Sequence, residues 1–333
     1  MHAIIATKQL SSTVVLFAAL TCASTDAVAK SQQSPQYGVT TTRLGTPPGM
    51  SVDVAAINNS RMVVGRAYST TSEHTIPFLW TPADGFVKFL GETEGVATSI
   101  NNRNAIVGHL FRGEQLVGFL WTAKDGMVEL GNFVPTDVNN DGQIAGLCSD
   151  GFQALGACLW ERGVVTEINE GFPAAINDRG EIVGQIGDTA FIWSRRTGTR
   201  TLPGVGSTTA VDINSRGDVA GAVCPCAGDP QFHAARWNAR RRLAGVIPAF
   251  SATRSINAAG TIVGLYHPSS SETRAFVSPT ADVSIDLGVG EAEAINDRGY
   301  IAGITWDENA DVVELVLWRL VAQKKDRDER DDQ

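Results

Sequence analysis

Apolar and polar positions repeat along this chain at intervals of 37 to 43 residues. An Asn that ends a short apolar stretch recurs seven times, and a Gly follows it seven residues later in every copy. The Asn stands at 58, 101, 139, 177, 214, 257 and 296. Each copy also carries a Phe-Leu-Trp-like run and a Val-x-x-Leu-Gly-like run, in weaker forms toward the C-terminus. Short apolar runs separated by turn residues every eight to twelve positions predict four short β-strands per copy.

The Asn-x-x-Gly segment predicts a tight turn between the first and second strands. An Asn side chain can accept hydrogen bonds from nearby backbone amides, and Gly adopts the left-handed backbone conformation at low cost. The first strand is rich in Ala, Ser and Thr, which suits a crowded position near an axis.

Seven four-stranded units with a forty-residue period predict an all-β fold, a seven-bladed β-propeller of antiparallel blades. The seventh unit stops after Trp318, whereas an unassigned strand, VTTTRLG at 39–45, precedes the first unit. We expect this N-terminal strand to complete the seventh blade and close the ring, which would remove an exposed sheet edge. An open β-array is the alternative.

The chain divides into four predicted segments. Residues 1–29 resemble a signal peptide, with Lys8, an apolar run at 13–23 and a cleavage site after Ala29. Residues 30–36 form a polar linker, 37–322 the propeller, and 323–333 a charged tail predicted to be disordered. Cys22 suggests a lipoprotein as an alternative, but the residues before it make a poor lipobox. We therefore expect a secreted or periplasmic protein with no membrane-spanning segment.

The repeat unit Ala-x-x-Ile-Asn-x-x-Gly-x-Ile-Val-Gly, followed by Ala-Phe-Leu-Trp, resembles the HAF repeat of bacterial extracellular proteins. The resemblance covers about 37–320, and the seven copies all carry the signature. Only His233-Ala234 keeps the His of the His-Ala-Phe element. The resemblance implies export; it implies no particular activity.

The net charge and the absence of certain sequence motifs argue against several classes of function. A net charge of -9 argues against a nucleic-acid partner, because binding phosphates requires a basic surface. No Gly-x-Ser-x-Gly motif marks a hydrolase nucleophile. Acids in the variable loops could supply a glycosidase, but nothing selects a pair, so no catalytic residue is assigned.

The connections between second and third strands differ in every unit, and such loops on a repeated scaffold commonly bind ligands. They contain four aromatic residues, three histidines and an acid that suit a sugar site: Tyr68, Phe111, Tyr266, Trp306, His74, His109, His267 and Asp307. Aromatic faces stack on sugars and carboxylates accept hydroxyl hydrogen bonds. The alternative is that each aromatic residue packs under its own loop.

Four cysteines remain after cleavage. Cys148 and Cys158 flank one hairpin connection, which predicts a disulfide in an oxidising compartment. Cys224 and Cys226 could form a local disulfide, stay reduced or bind a metal with His233. The run from Asp137 to Gly142 resembles the start of a calcium loop, but the later acidic ligand is absent and turn chemistry explains it better. No metal or other cofactor is assigned.

These features indicate an exported, non-catalytic binding or scaffold propeller. Its ligand would be a carbohydrate of the cell envelope or an envelope protein, held by the variable loops on one face. The alternative is an exported carbohydrate-active enzyme, a hydrolase or lyase, that uses carboxylates on the same face. A purely structural module is a third interpretation.

Overall fold

The computed structural model of the chain describes residues 37–69, 71, 74–87, 93–149, 154–204, 206–224, 232–247, 251–280, 283–306 and 313–322. The predicted signal peptide, linker and charged tail lie outside the described residues. Among the described residues, no helix has the length and apolar character needed to cross a bilayer.

Seven antiparallel four-stranded sheets form a β-propeller, as the repeats predict. Blade 1 contains β2–β5, at Met50–Ile57, Val63–Ser69, Thr75–Thr81 and Gly85–Val87. Blade 2 contains β6–β9, at Gly95–Ile100, Ile106–Arg112, Gln115–Thr122 and Gly126–Gly131. Blade 3 contains β10–β13, at Phe133–Val138, Ile144–Ser149, Ala154–Glu161 and Val164–Asn169. Blades 4 and 5 are β14–β17 and β18–β21, at Phe172–Ile176, Ile182–Ile186, Thr189–Ser194, Gly198–Thr201; Thr208–Ile213, Val219–Val223, His233–Trp237 and Leu243–Val246. Blade 6 is β22–β25, at Ser251–Ile256, Ile262–Ser269, Glu272–Thr280 and Val283–Val289.

Blade 7 combines both ends of the described chain. It contains β26 (Glu291–Ile295), β27 (Tyr300–Trp306) and β28 (Val313–Ala322), and its outermost strand is β1 (Tyr37–Gly45). β1 pairs with β28 in antiparallel register from Tyr37↔Ala322 onward. The predicted closure of the ring by an N-terminal strand is therefore confirmed.

The core is divided among the gaps between blades. Within the described residues, one apolar cluster fills each of the seven gaps. The cluster between blades 7 and 1 joins Leu315 and Leu317 of β28 to Val52 and Phe78 of blade 1. Each blade therefore buries apolar side chains against both of its neighbours, and this burial stabilises the ring.

The repeated Gly of the second strand has a steric cause. A Cβ atom on Gly264 would collide with the backbone carbonyl of Ala252 on β22 and crowd the ring of Phe276 on β24. The equivalent glycines of the other six blades face the equivalent carbonyl of their own first strand. Every first strand also has a register shift just before its Asn, as between Thr253 and Ser255. This β-bulge turns the next side chains toward the propeller axis.

Candidate functional site

The first strands of the seven blades surround an axial channel. β2, β6, β10, β14, β18, β22 and β26 each contact the first strands of both neighbouring blades. One end of the channel carries the Asn-x-x-Gly turns, and we call it the Asn end. The other end lies on the side of the variable connections, and we call it the loop end.

A closed ring of hydrogen bonds forms the Asn end. The side-chain Nδ2 of each repeat Asn donates to the backbone carbonyl of the Asn in the next blade, over 2.8–3.2 Å. The last of these bonds runs from Asn296 to Asn58 and completes the circle. Each Oδ1 accepts the amide N–H four residues later, within its own turn. The repeat Asn therefore shapes a turn and links two blades at the same time.

Inside this ring lies an open well of about 740 Å³, counting the space open to solvent. Asp137 and Asp212 line the well on blades 3 and 5. Asp137 accepts hydrogen bonds from the Ile176 amide of blade 4 (2.8 Å) and from the Ser99 hydroxyl of blade 2 (2.6 Å). Asp212 likewise accepts a hydrogen bond from the Ser255 hydroxyl of blade 6 at 2.8 Å, so both acids link first strands of different blades.

Burial shifts the titration of both acids. Removal from water raises the pKa of Asp137, although amide N–H donors and Ser99 oppose the shift. Removal from water, with a smaller contribution from the nearby charge of Asp137, raises the pKa of Asp212 to about 6. Asp212 also accepts the amide N–H of Ile256 at 2.8 Å, which favours the ionised form.

The loop end of the channel is built differently. Aligning the repeats on their Asn shows which residues stand three and five positions before it on the first strand. In blades 2 to 5 these are apolar or small: Val96, Thr98, Val134, Thr136, Phe172, Ala174, Thr209 and Val211. In blades 6, 7 and 1 four of the six are charged: Arg254, Glu291, Glu293 and Asp53.

These four residues form a charged cluster together with Arg66. Arg254 Nε lies 3.4 Å from Glu293 Oε2, and Arg254 Nη2 lies 3.6 Å from Glu291 Oε2. Arg66 Nε donates to Asp53 Oδ2 at 2.7 Å. The side chains of Arg254 and Glu293 keep 35% and 18% of their surface accessible, so solvent in the channel reaches them.

Ion pairs with Glu291 and Glu293, more than hydrogen bonds, fix the position of the Arg254 side chain. Its Nε atom is fully buried and has no hydrogen-bond partner. Burial raises the pKa of Glu293, the charge of Arg254 offsets only part of that effect, and the neighbouring Glu291 adds to it. The raised pKa favours the protonated form of this carboxyl, which can donate a hydrogen bond as well as accept one.

Of the predicted site residues, Tyr68 contacts this cluster. The guanidinium of Arg66 stands 5.5 Å from the centre of its ring. Burial is the main cause of the raised pKa of the Tyr68 phenol, and the carboxylate of Asp53 adds to it. Across the channel mouth, Phe172 is 56% exposed and offers an apolar face.

Two of the predicted aromatic residues occupy separate gaps between blades. Tyr266 packs against the cluster between blades 5 and 6, and Trp306 packs against the cluster between blades 7 and 1. His267 Nδ1 and Thr273 Oγ1 are 3.2 Å apart. Asp307 lies outside the described residues. The participation of these side chains in one ligand site stays a prediction.

Two histidines and an aromatic residue complete the predicted set. His109 is buried with its ring centre 5.5 Å from that of Phe111. Burial, followed by the charge of Arg66, lowers the pKa of His109 to about 4, so this ring is neutral at pH 7. His74 Nδ1 lies 3.4 Å from Glu94 Oε1.

The predicted disulfide between Cys148 and Cys158 is confirmed, with Cα atoms 5.7 Å apart. It joins β11 to β12 in blade 3. Cys224 is half-buried and directly follows β19, whereas Cys226 lies outside the described residues, so the state of this pair stays open. Among the described residues, no group of three or more His, Cys, Asp or Glu side chains could hold a metal ion.

Sequence reasoning from the loops did not select Asp53, Arg254, Glu291, Glu293 or Asp212. The signal was present in the repeats themselves, because these charges replace small or apolar residues at fixed positions before the Asn. Charged groups in a channel wall cost desolvation, and a repeat scaffold does not need them for its fold. Departures of this kind commonly mark functional sites.

No protein-family model matches the chain, and no curated protein matches its sequence. The chain is similar in structure to the β-propeller domain of the Trilobed protease from Pyrococcus furiosus, with a TM-score of 0.60 and 10% identity over 83% of this chain and 95% of that chain. It is also similar to acylaminoacyl peptidase in complex with Z-Gly-Gly-Phe-chloromethyl ketone, with a TM-score of 0.52 and 10% identity over 81% of this chain and 52% of that chain. At 10% identity these similarities establish the β-propeller fold and nothing about activity.

Proposed function

We propose that this protein is an exported binding propeller whose ligand, a cell-envelope glycan or a protein segment, enters the loop end of the axial channel. The observation that carries the proposal is the charged cluster in blades 6, 7 and 1, at positions that are apolar or small in blades 2 to 5. The signal-peptide-like N-terminus, the HAF-like repeats and the disulfide between Cys148 and Cys158 support export.

The chemistry of the cluster suits hydroxyl or amide groups. Arg254 offers donors, Glu291 offers acceptors, and the carboxyl of Glu293, whose raised pKa favours protonation, can offer both. Phe172 and the partly accessible ring of Tyr68 supply apolar faces on which a sugar ring or a peptide side chain can stack. The blade residues hold these groups on strands, so little ordering is needed on binding.

The proposal is tested by retention of the chain from Lys30 to Gln333, which includes every described residue, on immobilised envelope polysaccharides. We expect specific retention that Arg254→Gln weakens roughly 10- to 100-fold, since a hydrogen bond to a charged group contributes about 1.5–3 kcal/mol. Asp178→Asn is the matched control, because it alters a charge at the Asn end. Equal loss in both variants, or no retention on any polysaccharide or envelope protein fraction, would contradict the proposal.

The second candidate function is a carbohydrate-active enzyme, favoured by one observation. Glu293 stands beside a second carboxyl, Glu291, and burial raises its pKa, which is the direction that a general acid requires. An enzyme would release reducing ends from a retained polysaccharide. Glu293→Gln would then spare retention and stop release, whereas a binding protein releases none even as wild type.

A further inference from the structure

The turns between the third and fourth strands lie at the outer rim of the Asn side of the propeller, and their charges differ between blades. In blades 1 and 2 these turns carry Asp84 and Asp125, each bonded to a Thr of its own turn. In blades 3, 4 and 5 the turns and the strands that follow carry exposed arginines instead, which we call the basic arc: Arg162, Arg195, Arg196, Arg200, Arg240 and Arg242.

Contacts between blades make the basic arc continuous. Arg195 of blade 4 bonds Glu161 of blade 3 at 2.7 Å. The turn of blade 5 is joined to blade 4 through Arg241, whose Nη2 lies 2.6 Å from Glu181 Oε1. The outer strands of blades 3 and 4 also meet, with Asn169 Nδ2 donating to Thr199 Oγ1 at 3.1 Å. The six arginines therefore belong to one surface.

Most charges of the basic arc are not neutralised. Within the described part of the chain, no carboxylate forms an ion pair with Arg162, Arg196, Arg200, Arg240 or Arg242. Arg162 also adopts a left-handed backbone (φ 52°), a conformation that costs a non-glycine residue energy. In a protein of net charge -9, such a concentration of unpaired positive charge creates a local field that attracts anions.

Exposed aliphatic side chains accompany the arginines. Eight large hydrophobic residues of the described chain are exposed, and five of them lie on the outermost strands of blades 2, 3 and 5: Met127, Val128, Val164, Val165 and Leu243. Val164 is 64% exposed two residues after Arg162, and Leu243 is 41% exposed directly after Arg242. Exposed aliphatic groups next to unpaired arginines suit a partner with an anionic surface and an apolar interior.

We propose that the basic arc and its aliphatic neighbours dock the propeller peripherally on an anionic lipid bilayer. Arginines attract the headgroups, and Val164, Val165 and Leu243 enter the boundary between headgroups and acyl chains. A soluble polyanion would engage the arginines and leave the aliphatic side chains in water. This surface lies on the outer rim, away from the loop end of the channel, so its test is independent of the proposed ligand.

The test is co-sedimentation of the chain from Lys30 to Gln333 with vesicles of phosphatidylcholine containing 30% phosphatidylglycerol. We expect binding to these vesicles and none to pure phosphatidylcholine. Arg240→Gln with Arg242→Gln should weaken partitioning roughly 30-fold. Val164→Ser should weaken it roughly 3- to 10-fold without changing its salt dependence.

Arg103→Gln with Arg298→Gln is the matched control, because it removes two exposed charges from the inner turns of blades 2 and 7. This control should bind as wild type, and thermal unfolding should show that every variant is folded. The proposal is overturned if the anionic vesicles do not bind, if the control weakens binding equally, or if Val164→Ser has no effect. Displacement by dextran sulfate from the vesicles together with no effect of Val164→Ser would identify a soluble polyanion as the partner.

Discussion

Replacing Asn101 by Asp tests whether the Asn ring holds the blades together. Asn101 is buried, and its Oδ1 accepts amide hydrogen bonds from Arg103 and Ala105 at 3.0 and 2.9 Å. An Asp can keep both of these bonds. Asn101 Nδ2 donates to the carbonyl of Asn139 at 2.8 Å. An ionised Asp cannot make this bond, because a carboxylate has no hydrogen to donate. The substitution therefore removes the link between blades 2 and 3 and spares the turn.

The loss of stability in Asn101→Asp can be estimated from the hydrogen bond that is lost and the contact that replaces it. The loss of one buried hydrogen bond costs about 1 kcal/mol, and a carboxylate oxygen facing a carbonyl without a donor adds roughly 1–3 kcal/mol. We expect a loss of about 2–4 kcal/mol at pH 7, which lowers Tm by roughly 4–8 °C for a chain of this size. A protonated Asp can donate to the carbonyl, so the gap to wild type should narrow as the pH falls toward 4.

Thermal unfolding followed by circular dichroism at pH 7 and pH 4.5 measures both effects. Asn102→Asp is the matched control, because Asn102 is exposed and only its Oδ1 is engaged, accepting the Asn59 amide at 2.8 Å. The same position in blades 4 and 7 already holds an Asp, at 178 and 297. If Asn101→Asp destabilises the protein no more than Asn102→Asp, the inter-blade hydrogen bonds do not support the ring.

Three further predictions concern the disulfide, the axial acids and the repeat glycine. Reduction of the Cys148–Cys158 bond, or the double Ser variant, should lower the free energy of unfolding by about 2–3 kcal/mol, measured by denaturant titration with and without reductant. The pKa of Asp212 is raised to about 6 in the folded chain, so the folded chain favours the protonated carboxyl. The stability that this carboxyl contributes is therefore fully present below about pH 4 and is lost as the pH rises through about 6. Asp212→Asn should reduce the difference in Tm between about pH 5 and about pH 7.5. Gly264→Ala should lower stability by more than about 2 kcal/mol, since its Cβ would meet the Ala252 carbonyl, and an unchanged Tm would show that β22 can move aside.

The architecture was predictable because one pattern recurs seven times. The Asn and Gly positions fix the number of blades, and the strand at 39–45 without a unit of its own predicts the closure that β1 makes with β28. In the first two blades Arg61 and Asn104 occupy the left-handed turn position that Gly fills elsewhere. The turn survives there because Asn58 and Asn101 still accept the same amide hydrogen bonds.

The channel site was not predicted from the sequence, and the β-bulge explains why. Simple alternation along a strand assigns every second side chain to one face. The bulge before each Asn adds one residue, so the positions that face the axis fall out of that alternation. The alternation therefore gives no sign that Arg254 and Glu293 face the axis. It likewise assigns Tyr266 and Trp306 to exposed loops, whereas both pack between blades.

The binding role of the loop end is the central claim, and hydrogen–deuterium exchange with a retained ligand tests it most directly. We predict that the ligand slows exchange in β22, β26 and β2, the strands that carry Arg254, Glu293 and Asp53, and that Arg254→Gln abolishes this protection. Protection confined to the Asn turns, or protection that persists in Arg254→Gln, would contradict the claim.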